Sequence, residues 1–181
     1  YRESSEVKIT VADVIPPHAP KINPVSDNSK EIKGKTEAGA QVTAKVKGKT
    51  IGSAKANGKG EYRLKIAKQK AGTTISVTAK DKAGNTSKTA KITVIDKTPP
   101  SAPKVYTVSS NSTAVKGKAE ANANIIVKAG KKTIGTGKAN KKGDFSIKIK
   151  KQKANTVLSV TAKDQAGNMS KERKTTVKKA K

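Results

Sequence analysis

Thr73-Thr74-Ile75-Ser76-Val77-Thr78-Ala79-Lys80-Asp81-Lys82-Ala83-Gly84-Asn85 returns almost unaltered as residues 156–168 of the same 181-residue chain. Ile75, Val77 and Ala79 alternate with Ser76, Thr78 and Lys80, so a strand with a two-residue side-chain period carries three apolar groups on one face and three polar groups on the other. The Asp-x-Ala-Gly-Asn that follows ends the strand. Glycine takes a positive φ at little cost, and Asp and Asn hydrogen-bond their own backbone, so the pentapeptide reads as a tight turn into a further strand. Its second appearance marks two copies of one unit.

Working outward in both directions, the match continues without a gap: residues 16–98 align on residues 99–181, landmark for landmark. A register kept over a whole domain is the signature of duplication. Residues 1–15 align in turn on residues 84–98, with Lys8-Ile9-Thr10-Val11 over Lys91-Ile92-Thr93-Val94, and read as the last strand of a preceding repeat plus its linker, free to dangle or to add to a sheet edge. Within the first copy the pattern predicts seven short strands. These are a Pro-flanked edge strand over 21–25, strands over 31–36 and 41–47, a Gly48-Lys49 turn into 50–55, then 61–66 with Tyr62, Leu64 and Ile66 inward, the quoted strand, and a closing strand over 88–94. The fold class is all-β, two tandem sandwiches of about seven strands each.

The copies test this assignment against each other. Gly39 becomes Asn122 and Gly72 becomes Asn155, an exchange that suits backbone in the left-handed region. Tyr62 becomes Phe145, Leu64 becomes Ile147 and Ile75 becomes Leu158, as inward positions of fixed bulk require. Between the copies, Pro99, Pro100 and Pro103 predict an extended, stiff connector that strings the domains end to end. The last eight residues keep only Val177 of the first copy's closing strand, and fraying is expected beyond it.

Forty Lys and Arg against 13 Asp and Glu give a net charge of +27, nearly all of it lysine. The excess belongs to both copies, with 18 bases against 6 acids over 16–98 and 20 against 4 over 99–181. A field of this sign attracts polyanions and, by self-repulsion, favours a soluble monomer. With Val, Ile and Ala as the main apolar supply, no Trp and a single Phe, each core must be thin, and a domain of this size buries roughly 60% of its unfolded surface. Cysteine is absent, which removes thiol and disulfide chemistry. No apolar run is long enough to insert in a membrane, and no stretch reads as a signal peptide.

The Pro-Pro-x-Ala-Pro opening of each copy, the Gly34-Lys35-Thr36-Glu37-Ala38-Gly39-Ala40 segment, Ile51-Gly52 with the Asn57-Gly58 turn, and above all residues 77–85 resemble bacterial immunoglobulin-like (Ig-like) domains, found as tandem arrays in secreted and cell-surface proteins of Gram-positive bacteria. The resemblance covers nearly all of the chain from Pro16. It implies an extracellular, secreted or cell-wall-associated location, and a part as a stalk, an adhesin module or the C-terminal appendage of a secreted protease or wall hydrolase. The core Trp and inter-sheet cysteines of antibody domains are missing, so no antigen-type loop binding carries over.

Catalysis is not expected. His18 is the one histidine, it sits in the first Pro-rich linker, and Ser101 replaces it in the second copy, whereas a general base needs a partnered imidazole. The acids are scattered, with no close pair kept in both copies. No cofactor or metal is expected either. Some related arrays bind calcium at domain junctions, and Asp13, Asp96, Asp81 and Asp164 stand at or near such places. Calcium needs about six to eight oxygens, however, and lysines crowd these acids, which read instead as turn caps. The buried Lys-Asn cross-link of some Gram-positive surface domains would remove one ammonia from the intact mass; the residues here do not call for it.

The lysines remain. Outward positions on two strands single out Lys45, Lys47, Lys65 and Lys68 in the first copy and Lys128, Lys148, Lys150 and Lys151 in the second as a diffuse polyanion-binding set. The bland reading is a solvated surface that confers solubility. The sharper one is an anionic wall polymer such as teichoic acid, whose phosphates suit point-like ammonium groups. Specific nucleic-acid binding is disfavoured, since base readout prefers Arg and single strands need aromatic platforms. Scarcity of aromatics also argues against an adhesin hot spot for a host or sugar ligand.

Overall fold

The computed structural model describes residues 5–181, among which there are fourteen strands and no helix. The chain divides into two compact units, the first ending at Asp96 and the second beginning at Lys97. In the first, β1 (Lys21–Ile22), β2 (Glu31–Lys35) and β5 (Glu61–Lys65) form one sheet in the order β1-β2-β5. The other sheet has the order β4-β3-β6-β7, from β3 (Gln41–Val46), β4 (Lys49–Lys55), β6 (Thr74–Lys80) and β7 (Ala90–Thr93). The second unit repeats this with β8 (Lys104–Val105), β9 (Ala114–Lys118) and β12 (Asp144–Lys148) in one sheet. Its other sheet, ordered β11-β10-β13-β14, contains β10 (Asn124–Ala129), β11 (Lys132–Lys138), β13 (Val157–Lys163) and β14 (Arg173–Thr176). Every pair of named strands is antiparallel.

Alternation along the strands does the packing. In β6, Ile75, Val77 and Ala79 are fully buried, and Ile75 and Val77 share one core with Ile32, Tyr62 and Leu64 of the facing sheet. The second core has the same plan, with Leu158, Val160 and Ala162 against Val115, Phe145 and Ile147. Each buried Val, Leu or Ile contributes about 1.5–3 kcal/mol relative to exposure, so a core without Trp still holds a small sandwich.

Glycine lets the three-stranded sheets close up. Gly34 of β2 lies opposite Tyr62 of β5, and a side chain there would land on the Lys21 carbonyl oxygen and the Tyr62 ring. Tyr62 hydroxyl donates to that same carbonyl at 2.6 Å, and its burial pushes its pKa up to about 12. Gly117 stands identically between Lys104 and Phe145.

The predicted left-handed positions are found, with φ of 76° and 82° at Gly39 and Gly72, and 62° and 70° at Asn122 and Asn155. Three expectations need correction. The β3–β4 turn is Lys47-Gly48, not Gly48-Lys49: Val46 pairs with Lys49 and both turn residues have positive φ (48° and 81°), the type I′ hairpin that matches strand twist. In the second unit Gly130-Lys131 occupies this turn with positive φ only at Gly130 (59°), which is the type II′ solution. The edge strand over 21–25 is also divided. β1 stops at Ile22, and after buried Val25 the chain crosses to the other sheet, where Ser26 forms a parallel bridge to Ile95. Thr107 replaces Pro24 in the second unit and the strand divides there too, with Ser109 bridging Lys178, so the break belongs to the fold rather than to the proline.

The third correction is the tail, which does not fray after Val177. Val177 is fully buried, Lys178 N–H donates to the Val108 carbonyl at 2.9 Å, and Ala180 N–H donates to Ser110 Oγ at 3.0 Å. Pairing here is made by backbone groups, which lysine supplies as well as isoleucine does. At the other end, residues 5–20 lie outside any strand, and Val7, Ile9 and Val11 are 82%, 85% and 89% exposed.

Candidate anion-binding surface

The Asp-x-Ala-Gly-Asn turns close on themselves. Asp81 Oδ1 accepts the Asn85 N–H at 2.8 Å and Oδ2 accepts the Asn85 side-chain amide at 2.9 Å; Asp164 and Asn168 repeat both bonds at 2.8 Å. The Asn85 side-chain amide, with its backbone N–H and those of Ala83 and Gly84, holds the Asp81 carboxyl below its usual pKa despite partial desolvation. For Asp164, burial opposes ionisation most, yet the same set of donors outweighs it and the pKa is again lowered. These carboxylates are turn caps. Asn85 also donates to the Asp13 carbonyl at 3.0 Å, tying the incoming chain to the turn. Behind each turn a buried serine, Ser87 or Ser170, accepts from the Ala79 or Ala162 N–H and donates to the next residue's carbonyl, a feature the sequence alone did not disclose. Among the described residues no three His, Cys, Asp or Glu gather as metal ligands. His18 is exposed in a shallow depression beside Ala19, Lys21 and Glu37.

Strand order decides what the lysines can do. Every strand carboxylate, Glu31, Glu61 and Asp144, belongs to a three-stranded sheet. There part of the charge is compensated: Lys33 reaches Glu31 at 2.8 Å, Arg63 reaches it at 3.4 Å, and Lys118 reaches Asp144 at 3.6 Å. The Lys33 hydrogen bond, against some desolvation and with the charges of Arg63, Lys33 and Lys65, lowers the Glu31 pKa. The four-stranded sheets contain no Asp or Glu in any strand.

On the outer face of β4-β3-β6-β7 the register sets Lys45 beside Ser76 and Ser76 beside Lys91. Two ranks away, Gln41 lies between Lys55 and Lys80. The second unit keeps the same positions, with Lys128-Ser159-Lys174 and, Asn124 replacing Gln41, Lys138-Asn124-Lys163. Strands about 4.8 Å apart put the two lysine backbones of a rank about 10 Å apart. At that distance like charges repel by only about 0.4 kcal/mol in water, and salt weakens this further, so the sandwich tolerates the array. Hydroxyls of Thr43, Ser53 and Thr78 fill the rank between.

The sequence-derived lysine set is therefore split. Lys45 and Lys128 lie on this acid-free face. Lys47 and Lys68 join it at its edge, lining an open groove with Lys70 and Lys91 beside Thr74 and Ser76. The matching groove in the second unit has Lys128, Lys131 and Lys174 beside Ser159, with Glu172 at its margin. Lys65 belongs to the opposite sheet, in register with Glu31, and Lys148 of β12 faces Ala114. Lys150 and Lys151 follow β12 in a loop. Missing from the set were Lys55, Lys80 and Lys91 and their counterparts Lys138, Lys163 and Lys174. The alternation of these strands marked them as outward, but only strand neighbours reveal that they share one face.

The family described as Bacterial Ig domain matches residues 16–96 and again residues 99–179. A cell wall-associated protease of Bacillus subtilis (strain 168) is 39% identical over 160 residues, covering 88% of this chain and 18% of that protein. Among solved structures, the BSP domain of a biofilm associated protein aligns at a TM-score of 0.42 and 19% identity, over 91% of this chain and 30% of the other. The chain thus spans less than a fifth of the protease that it resembles.

Proposed function

This chain belongs to the bacterial Ig domain family, and from that premise we propose that its two units are non-catalytic extracellular modules. They hold a larger secreted or surface protein close to the anionic cell wall through many weak lysine contacts. The observation that carries the reading is the acid-free lysine face, repeated position for position in both units. Each contact is weak because an exposed ammonium keeps most of its hydration, but contacts along one polymer chain accumulate through effective concentration.

The similarity to a cell wall-associated protease supports a specific version, in which these modules are an accessory region of a secreted protease and supply position rather than chemistry. An adhesin for a host or sugar ligand has less support, since Tyr62 and Phe145 are buried and Tyr106 is half exposed away from the lysine face. Sedimentation with isolated walls tests the wall reading. Retention should need the phosphate-containing polymer and should fall on the order of tenfold or more between low and physiological salt. Equal retention on walls stripped of the polymer, or retention indifferent to salt, contradicts it.

A further inference from the structure

The wall reading treats the lysines as a diffuse cloud, but the register orders them. Resting on that reading, we infer that polyanion binding is confined to the outer face of the four-stranded sheet in each unit, where the Lys45-Ser76-Lys91 rank of the first and the Lys128-Ser159-Lys174 rank of the second each form a site for chains of phosphodiester-linked polyols.

Three observations converge on this face. Carboxylates separate by sheet: within the three-stranded sheets Glu31 pairs with Lys65, Glu61 with Lys35 and Asp144 with Lys118, whereas the cross-strand neighbours of Lys45 and Lys91 are Ser and Thr. An arriving phosphate displaces no carboxylate there and meets an uncompensated positive potential. A groove also forms at the same place in both units, between the hairpin turn after β3 or β10 and the start of β6 or β13. Shared by the two linings are a threonine (Thr73, Thr156), a serine (Ser76, Ser159) and a lysine (Lys91, Lys174), while the hairpin residues differ. The third observation concerns the partner's chemistry. The face presents ammonium and hydroxyl groups, with Ile126 and Val157 among them in the second unit, and no aromatic ring, so bases have no stacking platform and a hydroxylated phosphate chain is the better fit. Glu172 at the margin of the second groove, where the first copy has Thr89, makes the first unit the stronger of the two.

The test compares two fourfold neutralisations that remove equal charge. In one, Lys45, Lys91, Lys128 and Lys174 are each changed to Gln. In the other, Lys33, Lys35, Lys116 and Lys118 of the three-stranded sheets are changed likewise. All eight are exposed strand positions, so both variants should fold as the parent does. Binding of each full chain to purified poly(glycerol phosphate) is measured as a function of salt, with a single-stranded DNA oligomer of similar charge in parallel. The first variant should lose more than tenfold in affinity and about four units of the salt slope, and the second less than threefold with little change in slope. Equal losses in both variants overturn the site while leaving a diffuse interaction standing. Parent protein that does not bind the polymer overturns the wall reading and the site together. Tighter binding to the oligonucleotide than to the polyol chain also contradicts the site.

Discussion

Replacing Gly34 by Ala should unfold the first unit at ambient temperature or bring it to the edge of unfolding, while the second unit melts as before. The β-carbon has nowhere to go: it meets the Lys21 carbonyl oxygen, and the Cζ atom of Tyr62 lies 2.7 Å from where it would sit. A flexible side chain could swing aside, but a strand carbonyl already accepting the Tyr62 hydroxyl at 2.6 Å cannot move without opening the β1–β2 pair. Overpacking of this kind costs about 1–3 kcal/mol where a core can yield and more where backbone is the obstacle, so at least about 3 kcal/mol is expected here. For a domain of 60–100 residues each kcal/mol moves Tm by about 4–8 °C, and the loss is a large share of a small sandwich's stability. Calorimetry of G34A should show one transition displaced downward by more than about 12 °C and the other unmoved. G117A should displace the other transition, because Gly117 has the Lys104 carbonyl and Phe145 as the same obstacles. A shift below about 4 °C in both variants would show that the sheet is looser than the close approach implies.

Leu158→Ala should be the next most damaging change, and Leu158→Ile a mild one. Leu158 is fully buried on β13, between Ala129 of β10 and Thr175 of β14, and its counterpart in the first unit is Ile75, equally buried. Truncation to Ala removes apolar contact and leaves a cavity in a core with few large side chains to collapse into it, at a cost of about 2–5 kcal/mol. Exchange for isoleucine keeps the volume, borrows the residue used by the other copy, and should cost less than about 1.5 kcal/mol. The measurement is the Tm of the second unit in both variants. Comparable losses from Ile and Ala would mean that the two cores are packed on different plans despite their aligned sequences.

The strands were legible because each carries its own evidence. Ile75, Val77 and Ala79 repeat at a period of two, and the substitution of Asn122 and Asn155 for glycine exposes left-handed turns that one copy alone would have left ambiguous. Inward orientation of Tyr62, Leu64 and Ile66 follows from the same local pattern. What was not legible depends on partners distant in sequence. That Lys65 shares a sheet with Glu31 while Lys91 lies two strands from Lys45 is decided by which strands pair, and alternation is silent on pairing. The ordered tail was missed for a related reason: its side chains look unlike those of β7, but its bonds to Val108 and Ser110 use the backbone. The hairpin turn was displaced by one residue because Lys47, not a residue type that favours positive φ, takes a left-handed conformation beside Gly48.

Two sandwiches that keep carboxylates out of the strands of one sheet and pair part of the lysine with them on the other can be examined directly by titrating isotopically labelled protein with poly(glycerol phosphate) and following every backbone amide by nuclear magnetic resonance. The earliest and largest shifts should fall on Lys45, Ser76 and Lys91 and on Lys128, Ser159 and Lys174, with β2, β5, β9 and β12 nearly still. Shifts spread evenly over both sheets, or led by Lys33 and Lys35, would contradict the account.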